Sequence, residues 1–309
     1  MMMKIKWGLV VLLLTVTLTA KAQQHPMYSQ YMFNMMNINP AYAGSRGVGT
    51  VTALYRNQWE GIEGAPKTVS VGIDMPINEK KIGVGFQVYD DKLGIERTSG
   101  FNASYAFRIH LSESGTLSLG LQAGLLNYRA NYTESVLFQP GDPAFSQNIS
   151  GILPATAAGI YYNSDKFYVG VSTPALLKTK IDYDGVANVT GVTGRDMHLY
   201  LASGFVMNLN RDLVLKPSIL VKAVSGAPIE YDMNANLWIS NIIAFGFSYR
   251  TGDAYVGMTE LQISKQFRIG YAYDKTFNSL GTFNRGTHEL MLRFELRSNT
   301  GNVASPRYF

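Results

Sequence analysis

From residue 47 onward, apolar residues take every second position in one short segment after another. Over 68–75, Val69, Val71, Ile73 and Met75 alternate with Ser70, Gly72 and Asp74. Over 117–125, Leu117, Leu119, Leu121, Ala123 and Leu125 alternate with Ser118, Gly120, Gln122 and Gly124. Over 287–296, His288, Leu290, Leu292, Phe294 and Leu296 alternate with Thr287, Glu289, Met291, Arg293 and Glu295. A period of two puts one set of side chains on each face of a β-strand. Fourteen such segments are counted, at 47–57, 67–75, 81–90, 99–110, 115–129, 153–163, 166–174, 196–208, 212–223, 229–239, 241–250, 253–264, 265–274 and 285–296. Most run about ten residues, the length that crosses a bilayer at a tilt. An even strand count is what a single-chain bacterial barrel uses. The pattern predicts an all-β fold: a 14-stranded antiparallel transmembrane β-barrel.

The connections carry a second signal. After even-numbered strands they are short and polar, at 76–80, 111–114, 164–165, 210–211 and 240. After odd-numbered strands several are longer, at 58–66, 91–98, 130–152, 175–195 and 275–284. With the first strand starting in the periplasm, the long set lies outside the cell and the short set inside, as in outer-membrane barrels. A soluble β-sandwich is the other all-β reading. It would carry more charge on its outward faces, whereas the less apolar face here is Gly, Ser, Ala, Gln and Tyr.

Residues 1–22 read as a secretory leader. Lys4 and Lys6 form a basic start, 9–18 is apolar apart from Thr15 and Thr17, and Ala20-Lys21-Ala22 is a small-x-small cleavage site. Loss of Lys4, Lys6 and Lys21 lowers the net charge from +5 to about +2, which gives no footing for nucleic-acid binding. Only 16% of residues are charged, and no run beyond the leader is long and apolar enough for a membrane helix. The chain has no cysteine, so disulfides, thiolate catalysis, Cys-ligated metals and a cysteine-linked lipid anchor are not expected. The expected division is leader 1–22, a periplasmic or luminal segment 23–46, and an outer-membrane barrel 47–309.

Segment 23–49 breaks the alternation. It is dense in Met, Asn, Tyr and Gln, and Met32, Phe33, Met35 and Met36 offer one adaptable apolar surface. Pro40 stops any helix, and Gly44 and Gly47 loosen the chain before the first strand. The segment is a candidate lumen plug or a dock for a periplasmic partner. Gly72, Gly83, Gly85, Gly120, Gly124, Gly170, Gly246 and Gly270 all fall on the small or polar face of their strands. They provide a smooth inner wall for something to pack against, or they only let the sheet curve. Tyr55, Trp59, Tyr89, Tyr128, Tyr161, Tyr162, Tyr231, Trp238, Tyr249, Tyr255, Tyr271 and Tyr273 stand near segment ends and read as the interfacial girdles of a membrane barrel.

Little in the chain points to catalysis. His25, His110, His198 and His288 are not spaced as metal ligands, and His288 alternates onto the outward face. There is no G-x-S-x-G, phosphate-binding glycine loop or H-E-x-x-H. Asp90, Asp91, Asp142, Asp182 and Asp184 read as solvated loop charge rather than a Ca²⁺ site. No catalytic residue, cofactor or metal site is assigned.

Two blocks make the chain recognisable. Tyr28-Ser29-Gln30-Tyr31-Met32-Phe33-Asn34 with Asn37-Ile38-Asn39-Pro40-Ala41-Tyr42-Ala43-Gly44, followed by Arg56-Asn57-Gln58-Trp59, Gly61, Gly64-Ala65-Pro66 and Thr68, resembles the opening of the PorP/SprF family. Gly270-Tyr271-Ala272-Tyr273-Asp274, Gly286-Thr287-His288-Glu289-Leu290 and the terminal Ser305-Pro306-Arg307-Tyr308-Phe309 resemble its last strands and ending. Met35-Met36 stands where the family often has other residues. The resemblance implies a non-enzymatic outer-membrane component of the type IX secretion system of the Bacteroidota. It implies partners among the secretion machinery or the C-terminal domain of a secreted protein, exported or held at the surface, such as an adhesin of gliding motility. Tyr31, Asn34, Asn39, Pro40, Gly44, Arg56 and Trp59 are the partner-binding or plug residues it singles out. Each also has a plainer structural role: Pro40 and Gly44 shape the chain, Trp59 anchors at the interface and Arg56 is a lumen charge. The alternative function is an outer-membrane channel for small or hydrophobic solutes.

Overall fold

A computed structural model describes residues 27–77, 81–134, 145–176, 197–224 and 227–296. The leader and the terminal Ser305–Phe309 block lie outside the described residues. Fourteen antiparallel strands form one sheet: β1 Gly49–Asn57, β2 Lys67–Ile77, β3 Ile82–Leu93, β4 Glu96–His110, β5 Thr116–Ala130, β6 Ile149–Asn163, β7 Phe167–Thr173, β8 His198–Phe205 with its continuation Met207–Asn208, β9 Leu213–Val224, β10 Glu230–Ile239, β11 Ile243–Arg250, β12 Ala254–Gln262, β13 Phe267–Thr276 and β14 Thr287–Leu296. Each strand pairs with the next in sequence, and β14 pairs back onto β1 from Gly49↔Leu296 to Asn57↔His288. The sheet is therefore a closed barrel. Closure removes the sheet edge, which a membrane-spanning sheet requires because lipid supplies no hydrogen bonds.

The alternation decides what faces out. Val69, Val71, Phe86, Val88, Phe101, Phe107, Leu119, Leu121, Phe245, Phe247, Leu290, Leu292 and Phe294 are exposed large apolar side chains. Their neighbours Ser70, Gln87, Asn102, Ser118, Ser248, Glu289 and Arg293 are buried in the interior. An apolar exterior around a polar interior is the inverse of a soluble sandwich and matches a membrane barrel.

One break has a local cause. β8 is interrupted at Val206, and its two pieces pair with β9 at Ser218↔Gly204 and at Leu215↔Met207. Pro217 lies in the gap between them and has no N–H to give to a ladder. The Val206 N–H bonds instead to the Lys166 carbonyl at 2.7 Å.

Connections at one end of the barrel are 78–81, 111–115, 164–166, 209–212, 240–242 and 263–266. Those at the other end include 58–66, 131–148, 174–197 and 277–286. The long–short asymmetry holds, with one correction. The expected loop 91–98 is a tight hairpin, paired from Asp90↔Ser99 to Leu93↔Glu96. Gly94 takes φ +58°, which a tight turn needs, and Arg97 Nε donates to Asp90 at 2.9 Å across the strands. Charge there does not mark where the strands end.

Candidate functional site

Residues 27–48 have no strand of their own. They fold as three single-turn 3-10 helices, Tyr31–Phe33, Met35–Asn37 and Pro40–Tyr42. The third corrects the expectation that Pro40 stops any helix, because Pro40 begins one. The Asn39 side chain accepts from the Ala41 N–H at 2.9 Å, and Pro40 fills the first helical position, where its missing N–H costs nothing. Gly44 then turns the chain at φ +69°. Tyr31, Met32, Phe33, Met35, Met36, Ile38, Ala41 and Tyr42 are all buried in the cluster that also holds Tyr161, Tyr168, Leu220 and Met291 of the strands.

Side chains of the barrel wall hold this segment at three heights. Near one end, the Ser29 and Gln30 N–H groups both donate to the Glu289 carboxylate at 2.8 Å. The Ser29 hydroxyl donates to Asp274 at 2.7 Å. Arg56 joins the same group, donating to Ser29 Oγ at 2.8 Å and to Glu289 and Asp274 at 2.9 Å each. Arg250 reaches Asp274 at 3.3 Å and Asp232 at 3.2 Å. At mid-height, Gln87 Nε2 donates to Asn37 Oδ1 at 2.6 Å, Ser172 Oγ to the Ile38 carbonyl at 2.5 Å, and Asn39 Nδ2 to the Ile160 carbonyl at 3.0 Å. At the far end, the Gly44 N–H donates to Asp74 and the Gly44 carbonyl accepts from Arg108, both at 2.9 Å. Arg46 donates to the Phe33 carbonyl at 2.9 Å and lies 3.8 Å from Glu295.

The inward glycines divide by what they face. A Cβ on Gly83 would overlap the Ala43 carbonyl, one on Gly120 the backbone of Ala41, and one on Gly270 the Gln30 side chain. Gly72 and Gly85 lie under Met36, and Gly170 under Asn39. Gly159, absent from the sequence-based set, also lies under Asn39. Gly124 and Gly246 instead face the side chains of Asn102 and Asn236 on neighbouring strands. Most of the smooth wall is thus contact surface for residues 27–48 rather than a relief of curvature.

Of the singled-out residues, Tyr31, Asn34, Asn39, Pro40 and Gly44 sit together inside the barrel, and Arg56 joins them from β1. Trp59 stands apart, half-buried in the 58–66 connection at φ +50°, where its N–H donates to Thr287 Oγ1 at 3.1 Å. The aromatic girdle needs correcting. Tyr128, Tyr161 and Trp238 are buried within the barrel, at 5%, 1% and 2% exposure. Tyr55, Tyr231, Tyr255 and Tyr271 do face outward. Tyr161 and Tyr162 are consecutive on one strand, so both cannot face lipid. His288 faces outward, with Nδ1 2.6 Å from the Tyr271 hydroxyl and Nε2 3.2 Å from Glu60.

Sequence reasoning misses Ser29, Asp74, Arg250, Asp274 and Glu289. Ser29, Asp274 and Glu289 fall within the blocks that carry the family resemblance, and the charged members also stand on the inward phase of their strands, as Glu289, Arg293 and Glu295 do on β14. Most of these inward charges gather on the β9–β14 and β1 side. On the β3–β6 side the mid-height wall carries the amides Gln87, Asn102 and Gln122 instead. Between that wall and the segment lies a small cavity of about 40 Å³, lined by these amides with Tyr28, Asn37 and Tyr89 among others.

The family model described as "Type IX secretion system membrane protein PorP/SprF" matches residues 20–294. The chain belongs to the PorP/SprF family. With its closed barrel and apolar exterior, this PorP/SprF protein is an outer-membrane component of the type IX secretion system. No curated protein matches the chain. Among solved structures it is similar to a Pseudomonas aeruginosa FadL homologue, at 11% identity and TM-score 0.48, covering 89% of this chain and 96% of that one. It is also similar to the CymD monoaromatic hydrocarbon channel, at 9% identity and TM-score 0.47, covering 88% and 92%. The KdgM porin follows at 8% identity and TM-score 0.40, covering 80% and 99%.

Proposed function

We propose that this PorP/SprF barrel works in type IX secretion by binding protein, not by catalysis and not by conducting solutes. Its loop-end surface engages secretion machinery or the C-terminal domain of a secreted substrate, and residues 23–46 act as a resident plug between the leader and the barrel. The observation that carries this reading is the filling of the lumen. Wall atoms touch residues 29–46 at every height, and glycines of the inner face give the segment the room it takes. A transport channel needs a continuous path, and the contacts between residues 29–46 and the wall favour a plug over an open one. Family membership supports the secretion role. The buried acids support a structural rather than catalytic use, since Asp274, Glu289 and Asp232 are each engaged by an arginine.

Planar-bilayer conductance tests it. The intact barrel is expected to conduct almost nothing, and removal of residues 23–44 to open steady steps of current. Large steady conductance from the intact protein would favour the solute-channel alternative. Affinity purification from cross-linked membranes is expected to recover type IX components or a secreted C-terminal domain.

A further inference from the structure

The route of residues 27–48 has a direction, and the strands define it. β1 starts and β14 ends at the short-turn end, so odd strands run toward the loop end and even strands away from it. Asp274 lies near the end of β13, Glu289 near the start of β14, and Arg250 closes β11. All three are at the loop end, and all three bond to Ser29. Lys222, near the end of β9, reaches Met27 Sδ at 3.0 Å at the same end. Gly44 meets Asp74 and Pro76 near the end of β2, Gly83 at the start of β3, and Arg108 near the end of β4. Those positions are at the turn end. The segment thus crosses the barrel from loop end to turn end before β1 crosses back. In bacterial barrels the short turns are periplasmic and the long loops extracellular.

We infer that Met27 stands at the cell-surface mouth of the barrel, so that the amino-terminal side of the plug is offered to the outside and not to the periplasm. Of this end only the half-buried Met27 and Tyr28 reach the mouth, since Ser29 and Gln30 are buried against Glu289. The periplasmic face is left with the 44–48 stretch and the short turns.

The absence of cysteine makes the test clean, because Met27→Cys carries the single thiol of the protein. Intact cells are treated with a membrane-impermeant maleimide, beside Glu63→Cys in the 58–66 loop and Ser114→Cys in the 111–115 turn, both exposed positions. Met27→Cys is expected to label on intact cells as Glu63→Cys does. Ser114→Cys is expected to label at least about tenfold more once the outer membrane is permeabilised. If Met27→Cys follows the Ser114→Cys pattern, the inference fails. If the thiol at 27 is too shielded to label in either state, the double variant Met27→Cys/Lys222→Cys decides. A bifunctional maleimide long enough to make up for the two shortened side chains is expected to join them, read as a mobility shift, and no cross-link overturns the inference. Neither readout depends on which protein the barrel binds.

Discussion

Glu289 accepts from the backbone N–H groups of Ser29 and Gln30 and from Arg56, and is 0% exposed. Arg56 and Glu289 are also direct cross-strand partners at the seam where β14 closes onto β1. A single carboxylate therefore fastens the barrel closure and the segment threaded through it. Removing one partner of a buried ion pair leaves the other charge uncompensated, at a cost of about 3–5 kcal/mol. Glu289→Ala is expected to lower stability by that order, read from urea titration of the folded, fast-migrating form on unboiled gels. Glu289→Gln retains an acceptor and is expected to lose less. The glycines make a second residue-scale contrast. Gly83→Ala places a methyl into the Ala43 carbonyl, and overpacking of this kind costs about 1–3 kcal/mol. Gly257 is exposed on the outer face, and a methyl added there would meet nothing within 4 Å. Gly257→Ala is expected to stay within about 0.5 kcal/mol of the parent. Equal effects at the two glycines would mean that the close approach at Gly83 does not exist in solution.

At the scale of elements, what can be read from the sequence is what repeats locally. Fourteen strands are legible because period-two alternation is a property of consecutive residues, and the lipid needs it on every strand. The turn at Pro40–Tyr42 is not legible in the same way, since proline alone reads as a helix stop and becomes a first helical residue only behind the Asn39 cap. Strand limits are harder. Asp90, Lys92 and Arg97 look like loop residues by charge, yet the hairpin continues through them because strands remain paired above the membrane. The partners of the plug are hidden altogether. Ser29 and Asp274 are 245 residues apart, and Arg56 and Glu289 are 233 apart. No local pattern encodes such a meeting. Only the inward charge of β14 hints that something polar has to answer it. The aromatic ends fail differently: alternation fixes that Tyr161 and Tyr162 point opposite ways, but proximity to a strand end does not tell which one faces the lipid.

For the molecule as a whole, the outer belt and the polar inner wall follow from one alternation. A barrel of 14 strands is too wide for its own side chains to close, and residues 27–48 pack against the inner wall from the same chain. The belt must then do nothing but face hydrocarbon, which gives it a depth-dependent tolerance that a packed core lacks. Phe247, 57% exposed, lies mid-strand in β11, and Ile242, 55% exposed, lies in the short turn before it. Introducing arginine on a lipid face costs about 2–4 kcal/mol at the bilayer midplane and about 0–1 near the interface. Phe247→Arg is therefore expected to destabilise the barrel in lipid vesicles several times more than Ile242→Arg, measured by urea titration of tryptophan fluorescence. In detergent micelles, which wrap the belt loosely and let water approach, the difference between the two is expected to shrink. Were these residues packed against a second sheet instead, Phe247→Arg would cost the same in both media. The ratio between vesicle and micelle thus reads directly whether every second residue of these strands is in contact with lipid.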